Sequence, residues 1–300
     1  MMDYELFKEV IAERIKDFLP PGYMNHQVEI STVRKINQEK DALIVRPGRT
    51  ADIAAMPNIY MDEMYGFFLE CQDLDRVLCK IAALIIHYTA RFSADELDLD
   101  LSKRKDSIVM NLINTQRNQE LLKTVPHKEV MDLSIIYRII MGKEEQGMAT
   151  VMVNNSIMEE MGLSQDELER TAYENTGRLF PVEIFKLSDM LYVMTNEAKL
   201  HGATTMMYRE AVELLAEKIG GDFYLIPSSI HEVMAVPKEK GNLKKLVRLL
   251  EEGNRVCTQD FEILSNSIYQ YDQKQGTFQM AASYSAHEER IEAPQENFEG

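Results

Sequence analysis

Apolar residues recur at helical spacing near the start of the chain. Between residues 4 and 18 they fall three or four positions apart, which predicts an amphipathic helix with one apolar stripe. The Pro20-Pro21-Gly22 run ends this helix. A longer apolar stripe covers residues 74–92 and follows Asp73, a favourable N-cap residue. Two amphipathic helices therefore frame the first hundred residues.

Short apolar runs bounded by turn residues predict strands along most of the chain. The predicted strands cover residues 26–35, 42–45, 59–61, 108–113, 133–141, 148–153, 184–186, 191–194, 223–226, 233–236 and 268–271. Further helices are predicted at 117–122, from 155, at 164–175, at 207–219 and at 242–252. Ser164 with Glu167 fits a capping box at the start of one of them. Because several strand pairs are joined by hairpin-length loops, we expect an α+β fold with a mixed, largely antiparallel sheet and flanking helices.

An acidic stretch from Ser93 to Asp100 separates two blocks of structure. The sequence therefore predicts an N-terminal domain over residues 1–98, made of a helix, short strands and a long helix, and a main α+β domain over 99–278. Residues 279–300 are polar and acidic, and such a segment buries too little apolar surface to order itself. We expect a flexible tail there.

The charge balance excludes some partners. The chain has 300 residues and a formal net charge of -16, so phosphate backbones and anionic lipid surfaces would repel it. Its longest apolar run, Ile81 to Ile86, is too short for a membrane span. The three cysteines form no CxxC pair, and no signal peptide is recognisable at the N-terminus. The expectations are a cytoplasmic protein, no membrane association and no nucleic-acid ligand.

The segment Pro227 to Glu232, between two predicted strands, carries the strongest local candidate for chemistry. Ser229 is a possible nucleophile, His231 its base, and Asp132 or Glu232 the carboxylate that orients the imidazole. On a strand, however, Ser229 and His231 would stand about 6–7 Å apart, and no G-x-S-x-G elbow is present. The other interpretation is a tight turn in which the serine hydroxyls bond to the backbone.

Further residues are candidate ligand-binding groups. These candidate ligand-binding residues are Ser228, Glu232, His127, Asn196 and Arg178. Arg178 follows a predicted helix end at Asn175-Thr176-Gly177, where it would bind an anion or form a surface ion pair.

Metal and nucleotide sites are less well supported. Three histidines near loops have carboxylates close in sequence, but they include no H-E-x-x-H pair, so a metal site would depend wholly on the fold; they are His127, His201 and His231, with Glu129, Asp132, Glu197 and Glu232. We expect no metal site and leave the cofactor unassigned. Gly220-Gly221 ends a helix, and no nucleotide-binding glycine motif occurs.

Several stretches, read in order, resemble the clostridial domain-of-unknown-function family 5688, which is common in gut Firmicutes. They are Val125–His127 with Met131–Ser134, Ala172–Thr176 with Arg178–Pro181, Tyr192–Asn196 with His201–Ala203, and Leu225–Val233. The resemblance extends over about residues 3–275. It implies a bacterial cytoplasmic protein and carries no activity.

Two hypotheses of function remain. The first is a non-enzymatic binding or regulatory module for a protein or small-molecule partner, which the missing catalytic motif, the 19 methionines and the acidic composition favour. The alternative is a hydrolase or metal-assisted enzyme that uses the Pro-Ser-Ser-Ile-His-Glu loop. A Ser229 hydroxyl within about 3.2 Å of an imidazole, or three convergent His, Asp or Glu side chains, would favour the enzyme.

Overall fold

The computed structural model describes residues 2–46, 58–93, 100–144 and 147–284. The chain divides into two compact units, Met1–Leu101 and Ser102–Gly300. Most of the predicted acidic connector lies outside the described residues. The expected α+β class is confirmed, since helices accompany sheets whose strand pairs are antiparallel throughout the described ranges. No helix within these ranges has the length and apolar character that a membrane span requires.

The first unit packs helices against a three-stranded sheet of order β1-β2-β3. Its elements are α1 (Tyr4–Arg14), a 3-10 turn (Ile15–Phe18), β1 (Gln27–Lys35), β2 (Gln38–Arg46), β3 (Ile59–Tyr60), α2 (Met61–Cys71) and α3 (Leu74–Ser93). The predicted stripes form its core, where Phe7 and Ile11 of α1 cluster with Leu43 of β2 and Ile81 of α3. The sequence analysis missed α2, because that segment is apolar on most faces and its N-cap Tyr60 makes no side-chain cap.

The second unit contains two antiparallel sheets and their helices. Its elements are β4 (Ile108–Asn114), α4 (Gln119–Leu122), β5 (His127–Val130), β6 (Leu133–Glu144), β7 (Gly147–Met152), α5 (Asn155–Glu160), α6 (Gln165–Leu179), β8 (Val182–Ser188), β9 (Leu191–Asn196), a 3-10 helix (Gly202–Met207), α7 (Arg209–Ile219), β10 (Phe223–Ile226), β11 (Val233–Pro237), α8 (Leu243–Val256), β12 (Ser267–Asp272) and β13 (Thr277–Ser283). The predicted single sheet is thus divided into two.

The first of these sheets is built around the long strand β6. Strand β4 pairs along one side of β6, and β5 and β7 pair with successive parts of the other side. The second sheet has the order β13-β12-β10-β11-β9-β8. Because β9 and β11 are antiparallel, with Met194 opposite Val233, the end of β9 lies beside the start of β11. The loops after β9 and before β11 therefore meet at one edge.

Some sequence predictions were wrong in this unit. Helix α6 does not end at Asn175 but continues through Gly177 to Leu179. Gly177 is therefore no C-terminal cap, and the Tyr208 ring lies 3.5 Å from where its Cβ would stand. The short polar strand β5 was missed because backbone pairing with β6, and not apolar alternation, defines it. Strand β13 reaches Ser283, beyond the predicted start of the tail, and residues 285–300 lie outside the described ranges.

Candidate functional site

The Ser228–Glu232 loop is held by backbone hydrogen bonds to the segment that precedes β12. The Ile230 N–H donates to the Glu262 carbonyl at 2.9 Å, and the Leu264 N–H donates to the Ser228 carbonyl at 3.1 Å. Ser228 is 9% exposed, whereas Glu232 is exposed. These two backbone hydrogen bonds fix the loop to the segment before β12.

The hydroxyl of Ser229 is engaged with the backbone. Its Oγ accepts a hydrogen bond of 3.1 Å from the N–H of His231. This is the local side-chain turn that serines commonly form. The contact is therefore the one that the turn interpretation describes, and it does not involve the imidazole.

The imidazole of His231 lies between two groups from distant parts of the chain. Its Nε2 is 3.3 Å from the Glu262 Oε1, and its Nδ1 accepts a 3.4 Å hydrogen bond from the His201 N–H. The ring centroids of His201 and His231 are 5.7 Å apart. The sequence analysis did not name Glu262 as the carboxylate at His231. No local signal identifies it, because only the pairing of two loops brings it there.

The loop after β9 approaches the His231 backbone very closely. A Cβ at Gly202 would stand 2.4 Å from the His231 carbonyl oxygen and 2.1 Å from Thr195 Oγ1. The next residue, Ala203, donates its N–H to the Ile230 carbonyl at 3.2 Å. Only glycine fits at position 202, so this residue joins the two loops.

A small cavity of about 20 Å³ opens beside His201. It is lined by one face of the β6 sheet, the end of α6 and the end of β9, through Val109, Met110, Asn111, Arg138, Ile140, Met148, Thr150, Thr176, Phe180, Asn196, Leu200 and His201. Asn111 is 3% exposed. Its Nδ2, like His201 Nδ1, is buried and has no hydrogen-bond partner in the structure. Buried polar groups are nearly always satisfied, so these atoms call for an explanation.

The electrostatic environment of His201 is positive. Burial, the guanidinium of Arg138 and the neighbouring His231 lower the pKa of His201 to about 3. The ring is therefore neutral near pH 7 and offers one N–H and one acceptor nitrogen. Its backbone adopts a left-handed conformation, with φ of 52°.

Asp132 belongs to a different cluster. It lies in the turn between β5 and β6 and accepts hydrogen bonds from Ser265 Oγ at 2.7 Å and Ser267 Oγ at 3.0 Å. The Tyr269 hydroxyl also donates to it. Burial and the adjacent carboxylate raise the pKa of Tyr269 well above its usual range. Asp132 thus joins the β5–β6 turn to β12, and its carboxylate bonds go to these hydroxyls.

Two other candidate residues have separate structural contacts. His127 Nδ1 lies 3.0 Å from the Val125 carbonyl oxygen. Arg178 donates to the Asp106 carbonyl at 2.9 Å and to Asn175 Oδ1 at 3.0 Å. The structure therefore does not place these side chains at the His231 loop.

Asn196, in contrast, lines the cavity, and its amide exchanges hydrogen bonds with the backbone of Leu200. Of the three histidines considered as metal ligands, His201 and His231 are neighbours. Across the described ranges, no group of three His, Cys, Asp or Glu side chains is arranged to hold a metal ion.

Comparison with protein families gives one match. The model of a family of unknown function (DUF5688) matches residues 4–273, so the chain belongs to this family. The predicted resemblance to domain-of-unknown-function family 5688 is confirmed. No curated protein and no solved structure matches the chain.

Proposed function

We propose that this DUF5688 member is a non-enzymatic binding or regulatory module of the bacterial cytoplasm, with the cavity at Asn111 and His201 as its ligand site. One observation carries the proposal. Asn111 is 3% exposed, lines the cavity, and buries an Nδ2 without a hydrogen-bond partner. An unsatisfied amide costs about 1–3 kcal/mol, and a ligand that accepts its hydrogen bond offsets this cost.

The cysteines and the net charge support the proposed compartment and partners. Cys71, Cys79 and Cys257 are all free thiols, as is usual in a reducing compartment. The net charge of -16 disfavours nucleic acid as the main ligand. A small molecule or ion that reaches a buried cavity is the better candidate.

A hydrolase is the second candidate, and the His231–Glu262 contact of 3.3 Å favours it. In such an enzyme the other imidazole nitrogen takes the proton of the nucleophile. Here His231 Nδ1 accepts from the backbone of His201, and Ser229 Oγ accepts from the backbone of His231. The nucleophile and the base are therefore not paired with each other, and we rank the binding module first.

Thermal unfolding with a panel of small probes tests the proposal. The panel contains halides, formate, ammonium, methanol and divalent metal salts, and the proteins are wild type, Asn111→Leu, Asn111→Ala and Ser229→Ala. A ligand at a hundred times its dissociation constant adds about 2.7 kcal/mol to stability. We expect at least one probe to stabilise wild type and Ser229→Ala but neither Asn111 variant.

A parallel assay of p-nitrophenyl acetate hydrolysis examines the alternative. Hydrolysis that is lost in folded Ser229→Ala and kept in Asn111→Leu would favour the hydrolase. A probe that shifts all four proteins equally would refute the cavity as the ligand site.

A further inference from the structure

We infer that segment 285–300 of this chain binds back onto the outer face of helix α8. The outer face consists of the exposed side chains of that helix, which are Lys244, Lys245, Arg248, Leu249, Glu252, Arg255 and Val256. Four observations lead to this inference: an apolar stripe, cations without carboxylate partners, the position of Tyr284, and the order of charges along the two segments. The cavity is lined by other elements, so the inference is independent of the proposed ligand site.

The outer face of α8 carries an apolar stripe. Leu249 is 61% exposed and Val256 is 68% exposed, which are among the highest values for large apolar residues in the described ranges. Because they are seven positions apart, two helical turns place them on the same side of the helix. The core side of α8 packs Leu246 and Leu250 against Ile268 of β12. A single exposed apolar residue is ordinary, whereas two on one side form a surface that a partner can cover.

The outer face is also positively charged, although the whole chain has a net charge of -16. Helix α8 contains four cationic residues and two carboxylates, which are Lys244, Lys245, Arg248 and Arg255, with Glu251 and Glu252. Within the described part of the chain, none of the four cations forms an ion pair with a carboxylate. These charges are therefore available to an anionic segment.

The fold places the start of the segment beside this helix. Tyr284 packs against the apolar cluster that includes Leu246 and Leu250, and its hydroxyl accepts a 3.1 Å hydrogen bond from Asn254 Nδ2. Its N–H donates to the Asn266 carbonyl at 3.1 Å. The chain therefore leaves Tyr284 at the C-terminal end of α8, and this attachment gives the segment a high effective concentration at the helix.

The segment is long enough to reach the whole outer face. Residues 285–300 can span at most about 50 Å, whereas the 14 residues of α8 extend over about 21 Å. By itself the segment has too little apolar surface to become ordered. The contact with α8 supplies the surface that the segment lacks.

The order of charges in the segment is complementary to that of α8 read in the opposite direction. From residue 285 onward the segment has two acidic residues, one basic residue and three acidic residues, which are Glu288, Glu289, Arg290, Glu292, Glu296 and Glu299. From its C-terminal end backward, α8 has one basic residue, two acidic residues and three basic residues, which are Arg255, Glu252, Glu251, Arg248, Lys245 and Lys244. When the two run antiparallel, each block therefore meets one of opposite sign.

The apolar residues follow the same order. Ile291 of the segment stands between Arg290 and Glu292, just as Leu249 of α8 stands among Glu251 and Arg248. An antiparallel arrangement therefore brings the Ile291 side chain to the apolar stripe and the Glu292 carboxylate to Arg248.

Tryptophan fluorescence tests the inference in the full chain. The sequence contains no tryptophan, so Ile291→Trp places a single indole in the segment. Its emission wavelength and its quenching by acrylamide, which is uncharged, measure how well it is shielded from water. The Ile291→Trp protein is compared with versions that also carry Arg248→Glu, Leu249→Ser, or both Arg248→Glu and Glu292→Arg. The control is Lys218→Glu, which reverses an exposed charge in the last turn of α7.

We expect the indole of the Ile291→Trp protein and of the Lys218→Glu control to be shielded, relative to the same proteins unfolded in urea. Arg248→Glu should lower the docking equilibrium about fivefold, because an attraction to Glu292 becomes a repulsion. Leu249→Ser should lower it about tenfold, because the indole loses its apolar contact. Glu292→Arg should restore the shielding that Arg248→Glu removes, since the pair is then present with its charges exchanged.

Three results would overturn the inference. An indole that is as accessible in the folded protein as in urea means that the segment does not bind the body. Shielding that Arg248→Glu and Leu249→Ser leave unchanged means that it binds elsewhere. Shielding that decreases on dilution means that a second copy of the chain covers α8.

Discussion

The Oγ1 hydroxyl of Thr195 donates a hydrogen bond of 2.8 Å to the carbonyl oxygen of His231. It ties the end of β9 to the loop that precedes β11, and Gly202 packs against the same two groups. Because His201 precedes Gly202 directly, this junction sets the position of the imidazole at the cavity. The geometry of the site therefore depends on a backbone approach that one additional carbon atom would prevent.

Gly202→Ala should disrupt this junction. Its Cβ would stand 2.4 Å from a backbone oxygen that cannot rotate away, so we expect a loss of about 3 kcal/mol in the free energy of unfolding. The matched control is Gly253→Ala in α8, where no atom lies within 4 Å of the new Cβ. There we expect a gain of about 0.5–1 kcal/mol. Denaturant unfolding measures the free energy of unfolding of both variants. Equal changes in Gly202→Ala and Gly253→Ala would contradict this prediction.

Asp132→Asn should weaken the connection between the β5–β6 turn and β12. The carboxylate accepts from three hydroxyls, and an amide nitrogen cannot accept. We expect a loss of about 2 kcal/mol in unfolding free energy. The control is Asp260→Asn, which makes the same chemical change at an exposed carboxylate. Its free energy of unfolding should stay within about 0.5 kcal/mol of the wild-type value.

A double-mutant cycle with Tyr269→Phe refines the Asp132 prediction. The two residues share a hydrogen bond, so the double variant should lose less than the sum of the single losses. If the losses of the two single variants add up to the loss of the double variant, the hydrogen bond between Tyr269 and Asp132 does not contribute to stability.

The lowered pKa of His201 predicts that the stability of the protein depends on pH. Its pKa is about 3 in the folded protein and 6.5 in the reference state. Between these values the unfolded chain binds the extra proton, so the folded state loses stability as pH falls from about 6.5 towards 3. One such group contributes a slope of up to about 1.4 kcal/mol per pH unit.

His201→Asn removes this contribution while retaining a residue that tolerates the left-handed conformation. Acid unfolding curves of the variant should be less steep in this window than those of wild type. His127→Asn is the control, because His127 lies outside the cavity lining. An NMR titration in which the His201 ring protonates near pH 6.5 would remove the basis of the prediction.

Local sequence patterns predicted the helices and strands that form because of their own residues. Examples are the apolar stripe of α3, the capping box at Ser164 and the strands predicted at 184–186 and 191–194, and the structure confirms each. In contrast, β5 exists because β6 offers it a pairing edge. Gly177 resembles a helix end in sequence, yet the Tyr208 ring packs against it within a continuing helix.

The site was only partly predictable for the same reason. His201 and His231 were named as histidines near loops, and Asn196 as a candidate ligand-binding residue. Asn111 and Glu262 carried no signal, since one is an amide in an apolar strand and the other lies in a loop after α8. Their roles arise from contacts between segments far apart in sequence, such as Ile230 with Glu262.

Asn242→Ala tests the N-cap of α8. The Asn242 Oδ1 accepts a hydrogen bond of 3.1 Å from the Lys245 N–H, and the helix packs Leu246 and Leu250 against Ile268 of β12. Removing the cap leaves a backbone donor unsatisfied and should cost about 1 kcal/mol of unfolding free energy.

The control is Asn155→Ala at the first residue of α5, because the cap of that helix is Asn154. We expect little change there, since alanine is the better helix former at a position that does not cap. Both values come from denaturant unfolding followed by circular dichroism. If Asn155→Ala costs as much as Asn242→Ala, the loss reflects asparagine removal in general, and the cap does not stabilise α8 against its sheet.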